Sequence, residues 1–199
     1  MSEADSCVRA LRRGGVVAVP TDTLYGLLAD PHSAPAMATL RRLKQVTGPR
    51  PWPLLIPAGF DLSRLGCTLS DSGRRLAARF WPGKITLIVP CTSPLAQVVG
   101  RPKDGAVGLR VPGGPPELAE LLMQWDGPLT GTSANPQGCP PALDSDGVHR
   151  YFPDLLAHVV PGRSGGGAPS TVVDTVAKDI QIERAGAVTE EMLREALTA

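Results

Sequence analysis

The stretch GGVVAVPTDTLYGL, residues 14–27, decides the fold class. Val16 to Val19 is an unbroken apolar run closed by Pro20, the pattern of a short strand buried on both faces. Before it, residues 2–13 read as a helix. Ser2 can cap it, Glu3 and Asp5 suit the positive end of its dipole, and Gly14-Gly15 stop it. Directly after the strand comes PTDTLYG. Its hydroxyls emerge at the strand's carboxyl end, where open α/β sheets bind ligands. Thr21, Thr23 and Tyr25 offer neutral donors and acceptors for a small polar substrate. The same heptapeptide also fits an ordinary Thr/Asp-stabilised turn with a packed tyrosine.

Helical and strand patterns alternate along the rest of the chain. Helices are expected over 33–44, 70–81 and 115–125 and from Thr189 onward; Ser33 and Ser70 stand at the start of the first two. Strands are expected at 54–56, 85–89, 106–111, 129–132, 159–160, 170–176 and 180–183. The segments 136–147 and 161–169 read as irregular surface loops. This alternation predicts an α/β class with one mixed sheet. At 199 residues a single domain over 1–199 is expected, burying about two thirds of the unfolded surface.

Composition narrows the possibilities further. No stretch approaches ~18 apolar residues, so no transmembrane helix is expected, and the acidic first residues show no secretory pattern. Cys7, Cys67, Cys91 and Cys139 are far apart with no CxxC pair. That argues against a zinc site or disulfide framework and for a reducing cytosol. The net charge of +1 hides a division. Residues 31–103 carry eleven basic against two acidic residues, whereas residues 104–199 carry six against thirteen. A basic middle segment suits an anionic ligand such as nucleotide or RNA; the alternative is a solvated basic face paired with the acidic half.

Four further places can carry chemistry. In KQVTGPRPWPL, residues 44–54, Lys44 and Arg50 flank a Pro/Gly-stiffened loop and could clamp phosphates; Lys44 also suits a helix C-terminus. In TGTSAN, residues 130–135, Ser133 and Asn135 follow a strand and could bind anionic oxygens, or form a common turn. GRSGGGAPST, residues 162–171, is Gly-rich but lacks the GK[ST] ending of a P-loop. Arg110 and Arg184 are single arginines at strand ends, able to anchor a carboxylate or phosphate or to form surface ion pairs. His32, His149 and His158 sit alone, with no catalytic pairing.

Taken in order, GGVVAVPTDTLYGL, LRRLK, FWPGKITLIV, GLRVP, LTGTSAN, STVVD and IERAGAV resemble the YrdC/TsaC family of threonylcarbamoyl-AMP synthases, over roughly residues 8–190. The resemblance implies a twisted α/β sheet with a large concave, basic cavity. It implies a reaction joining L-threonine, bicarbonate and ATP into threonylcarbamoyl-AMP with release of pyrophosphate. A tRNA threonylcarbamoyltransferase complex would then use that product to modify an adenosine of tRNA, and double-stranded RNA would be a further partner. Thr23 and Arg110 would hold threonine, Arg110 through its carboxylate, with Ser170 assisting. Lys44, Arg50, Ser133, Asn135 and Arg184 would face ATP, Lys44 and Arg50 as the catalytic cations, and Mg2+ would bridge the phosphates.

The chain departs from the family pattern after Lys44. Val46 stands at the arginine position, Arg50 at that of a later lysine, Trp52-Pro53 disturbs the usual Pro-Leu, and Lys84 stands where proline is usual. One guanidinium is thus missing from the phosphate clamp. Either Arg50, Lys84 or another cation supplies it, or the chain is a non-catalytic, RNA-binding, translation-associated relative like the YciO branch.

Overall fold

Ser2 caps the first helix, α1 (Glu3–Arg12), by a capping box with Asp5. The computed structural model describes residues 2–48, 50–177 and 179–198. The apolar run becomes β1 (Val17–Pro20), which turns back through Thr21–Leu24 into β2 (Tyr25–Leu28) with Pro20 opposite Tyr25. YGLL is therefore a strand, not an extension of the turn. Tyr25 is fully buried and its hydroxyl donates to Val160 O, so it ties β2 into the core rather than facing a substrate.

Two hydroxyl-capped helices follow the expected pattern: α2 (Ala34–Leu43) begins after Ser33, and α3 (Asp71–Phe80) after Ser70. Each cap serine accepts a hydrogen bond from an early backbone N–H that has no partner inside the helix. The remaining helices are α4 (Ala96–Val99), α5 (Pro116–Trp125), α6 (Ser145–Tyr151) and α7 (Glu190–Thr198). Neither α4 nor the start of α6, which lies within the expected 136–147 loop, is signalled by an apolar stripe.

The strands are β3 (Leu54–Leu55), β4 (Ile85–Val89), β5 (Val107–Arg110), β6 (Leu129–Thr130), β7 (Thr132–Ser133), β8 (His158–Val159), β9 (Thr171–Asp174) and β10 (Gln181–Arg184). They form two mixed sheets where one was expected: β7-β2-β1-β8 and β10-β9-β4-β5-β3-β6. The division falls at Gly131. The expected 129–132 strand leaves the large sheet as β6 and enters the small one as β7. A Cβ on Gly131 would lie 2.6 Å from Leu55 Cγ, so only glycine lets the chain cross there.

Two apolar clusters hold these layers together. The larger joins α2 and the inner face of the large sheet, with Trp52, Leu54, Leu87 and Leu109 fully buried. The smaller lies where α1 and α5 pack on β1, around Leu11, Val17, Leu28, Leu55 and Leu121. Each large apolar side chain withdrawn from water contributes about 1.5–3 kcal/mol before the entropy of ordering is subtracted. Among the described residues no helix is long and apolar enough to cross a membrane.

Candidate functional site

The Thr21–Leu24 turn is held by its own hydroxyls. Thr21 Oγ1 accepts from Thr23 N at 3.1 Å and Leu24 N at 3.3 Å, and donates to Leu24 O at 2.8 Å. Its single proton is thereby used, so in the 3.0 Å contact between Thr21 and Thr23 the donor is Thr23. Thr23 Oγ1 keeps its lone pairs for other donors, and Arg110 Nη1 takes one at 3.3 Å.

Arg110, at the end of β5, is nearly buried and fixed on three sides. Besides Thr23 it donates through Nε to Gly83 O at 2.9 Å and through Nη2 to Asp22 Oδ1. Burial lowers its pKa, the Asp22 carboxylate opposes that, and Arg184 lowers it further by charge repulsion. Arg110 and Arg184 thus stand within electrostatic reach of each other. Arg184, on β10, grips the start of β9: its Nη2 donates to Ser170 O at 2.8 Å and to Ser170 Oγ at 3.1 Å. Ser170 Oγ also meets Thr86 Oγ1 of β4 at 3.0 Å. Register explains the gathering, because Ile85 pairs with Thr171 and Leu87 with Leu109, which places these residues at one end of the large sheet.

A second group forms around Lys44, which follows α2. Lys44 is 3% exposed, and its ammonium donates to Ser133 O at 2.7 Å, Asn135 O at 2.6 Å and Asn135 Oδ1 at 2.9 Å. Ser133 Oγ donates to the same Oδ1 at 2.6 Å, and Asn135 Nδ2 donates to Cys139 O. Burial, and after it the charge of Arg50, lower the Lys44 pKa to about 8. Arg50 sits beside this group, with its guanidinium 5.6 Å from the centre of the Trp52 ring and donating to Gln137 Oε1 at 3.3 Å. The two groups are joined through β2: Ser133 pairs with Gly26, and Ala134 N donates to Tyr25 O at 2.7 Å, two residues beyond Thr23.

The structure therefore brings Thr23 to Arg110, Ser170 to Arg184, and Lys44 to Ser133, Asn135 and Arg50. No direct hydrogen bond links the Lys44 group to the Arg110 group among the described residues. Sequence reading missed Asp22, Thr86 and Gln137. Asp22 lies inside the quoted motif, and Thr86 is the one polar residue of β4, so both had a signal; Gln137 had none.

The Gly-rich segment has a packing role. Gly165 N donates to Thr21 O at 2.8 Å, and a Cβ on Gly165 would lie 2.3 Å from Asp22 O. On the other side, Gly113 O accepts from Asp22 N at 3.3 Å, and a Cβ on Gly114 would lie 3.2 Å from Thr21 Cα. Bare backbone on both flanks thus holds the turn that presents Asp22 and Thr23.

The departures after Lys44 have physical explanations. Gln45 takes a left-handed conformation (φ 52°), with its N–H bonded to Arg42 O at 3.0 Å, and Val46 N bonds to Arg41 O at 3.1 Å. This pair of bonds is a Schellman cap, whose usual companion is an apolar side chain at the position of Val46. Val46 packs against the larger core. Trp52 is buried beneath the Arg50 guanidinium.

A concavity of about 500 Å³ is lined by Arg41, Arg50, Arg101, Gln97 and neighbouring residues. Its Arg101 is neutralised by Asp174, Asp104 and Glu183.

Residues 9–186 match the Sua5/YciO/YrdC family model, described as "Telomere recombination". A threonylcarbamoyl-AMP synthase of Stenotrophomonas maltophilia is 35% identical over 175 residues, covering 85% of this chain and 91% of that protein. Sua5 of P. abyssi, in a crystal structure complexed with L-threonine, superposes with a TM-score of 0.87 at 25% identity. That match covers 98% of this chain, which spans only 57% of the Sua5 chain. E. coli YciO shares the fold, with a TM-score of 0.82 at 24% identity over 92% of this chain and 89% of that one.

Proposed function

The chain belongs to the Sua5/YciO/YrdC family, and on that premise we propose that it is a threonylcarbamoyl-AMP synthase, a nucleotidyltransferase that joins L-threonine, bicarbonate and ATP and releases pyrophosphate. The observation that carries this reading is the Arg110 anchor. Asp22, Thr23 and Gly83 engage three of its five N–H groups, one on each nitrogen. One N–H on each terminal nitrogen remains for the carboxylate of threonine.

Thr23, whose proton is directed to Thr21, accepts from the amino acid, and Ser170, bonded to Thr86 and Arg184, assists. The threonine amine takes up carbon dioxide or bicarbonate as a carbamate, and a carbamate oxygen attacks the α-phosphorus of ATP while pyrophosphate leaves. No protein nucleophile is required. The chain's part is to position two anions against their repulsion and to stabilise charge at the phosphates, a contribution of several kcal/mol in a site shielded from water. Arg184, Arg50 and the Ser133–Asn135 turn face ATP. Lys44 acts through that turn, since all three of its protons are engaged there.

Mg2+ belongs to this reaction as part of the ATP substrate. Its hard oxygen ligands there are the phosphates. The product would pass to a tRNA threonylcarbamoyltransferase. The match over residues 9–186 supports treating 1–199 as one such domain, and the four free thiols fit a reducing cytoplasm.

A second reading, a non-catalytic binder of double-stranded RNA, is favoured by Val46 and by the exposed arginines of α3, Arg74, Arg75 and Arg79. One experiment separates the two. Pyrophosphate release from ATP is measured with and without L-threonine and bicarbonate. Release that needs both establishes the synthase; release indifferent to threonine, or none at all, removes it.

A further inference from the structure

We propose that Cys67 and Cys91 form an oxidation site, a thiol pair that closes to an intrachain disulfide on meeting a small-molecule disulfide such as oxidised glutathione. Nothing in this depends on the synthase reading.

The two residues face each other as an isolated antiparallel bridge. Cys67 follows the 3-10 turn Leu62–Leu65, and Cys91 lies just beyond the end of β4. Thr92 N donates to Gly66 O at 3.0 Å. That bond lies one residue outside the cysteines, so they form the non-hydrogen-bonded kind of antiparallel pair. Such pairs bring Cα atoms to about 4.5 Å with both side chains on one face. Disulfides span Cα separations of about 4.4–6.8 Å, so the backbone already has the spacing required. The sulfurs converge as well: Cys67 Sγ lies 3.6 Å and Cys91 Sγ 3.4 Å from the same acceptor, Leu65 O. Cys7 is buried in α1 within the smaller core, and Cys139 follows the Ser133–Asn135 turn, so neither belongs to this bridge.

Exposure sets the order of events. Cys91 is partly exposed and Cys67 is buried, so the reaction enters at Cys91. Its thiolate attacks one sulfur of oxidised glutathione, forming a mixed disulfide and expelling one glutathione thiolate. The Cys67 thiolate then attacks the Cys91 sulfur and expels the second. The protein pair loses two electrons and two protons, and one glutathione disulfide becomes two thiols. Burial and the neighbouring Cys91 hold the Cys67 thiol above the usual cysteine range. The closing step therefore accelerates with rising pH.

The test incubates the purified full chain with oxidised glutathione under mildly alkaline conditions. Thiols are counted after denaturation, and peptides are mapped by mass spectrometry without reduction. The expected result is a fall from four free thiols to two, with a Cys67–Cys91 cross-linked peptide that reductant removes. In Cys91→Ala no internal cross-link forms. Four surviving thiols, a glutathione adduct on Cys91 that never resolves, or a cross-link through Cys7 or Cys139 each overturns the proposal.

Discussion

Lys44 is joined to Asn135 twice, through the main-chain oxygen at 2.6 Å and the side-chain oxygen at 2.9 Å. With the bond to Ser133 O, this buried ammonium holds the Ser133–Asn135 turn by carbonyl oxygens, and among the described residues no carboxylate contacts it. The charge is thus only partly compensated, and burial lowers its pKa to about 8.

An unfolded lysine titrates near ~10.4. Between about pH 8 and that value the unfolded chain holds a proton that the folded chain has released. Stability therefore rises with pH across this window, by at most about 1.4 kcal/mol per pH unit. Urea denaturation across the window should show the rise, and Lys44→Met should abolish it. That variant also leaves three oxygens without their donor, so it should lose about 2–4 kcal/mol at neutral pH. In a carbon NMR titration, the Lys44 side chain should titrate near pH 8. A Lys44 midpoint at the unfolded value of ~10.4 would refute the account.

Asp22→Asn should uncouple the amino-acid anchor. Asp22 and Arg110 side chains are 15% and 9% exposed, so the ion pair is largely removed from water. Breaking such a pair from one side costs about 3–5 kcal/mol, because the remaining charge stays buried. Arg184 nearby makes the loss worse. Denaturation should show a drop of about 3 kcal/mol, and the KM for threonine should rise at least about tenfold. A destabilised variant with unchanged threonine KM would leave Asp22 a purely structural role.

How far the sequence foretold this arrangement depends on the range of the determinants. Ser2, Ser33 and Ser70 mark three helix starts because a cap acts on N–H groups two or three residues away. The strand Ile85–Val89 was legible as a run of apolar residues. The split at Gly131 was not, because its cause is Leu55, distant in sequence. Nor was α6, a seven-residue helix, SDGVHRY, with no apolar stripe to announce it. In the site, hydroxyls after strands were readable by position. The union of Asp22 with Arg110, and of Lys44 with Asn135, depends on contacts 88 and 91 residues apart, which no local pattern encodes.

Gly165 and Gly166 should respond differently to the same methyl group. At Gly165 an added Cβ would lie 2.3 Å from Asp22 O, a backbone atom that can yield only if the whole turn shifts. Gly166 has open space around its Cβ direction and only a left-handed φ of 70° against it. Gly166→Ala should lose about 1 kcal/mol and keep activity. Gly165→Ala should lose more than about 2 kcal/mol and show weakened threonine use, because the turn presenting Thr23 moves. Equal losses of stability in the two variants would mean that the close approach is not restrictive.

Val46 occupies the apolar position of the cap ending α2 and packs on the core, so Val46→Arg exchanges a packed methyl pair for a charge beside Lys44 and Arg50. It should lose about 0.5–1.5 kcal/mol of stability and change kcat/KM for ATP less than about threefold. On the proposed reading Arg50 supplies the charge of the absent arginine; its guanidinium lies over Trp52 and donates to Gln137, just past the Ser133–Asn135 turn. Arg50→Ala should lower kcat/KM about a hundredfold, as loss of one charge-stabilising donor does, with stability nearly unchanged at this half-exposed position. Restoration of that activity by Val46→Arg in the Arg50→Ala background would show that the two positions serve the same phosphate. A large gain from Val46→Arg alone would mean instead that Arg50 does not replace the absent arginine.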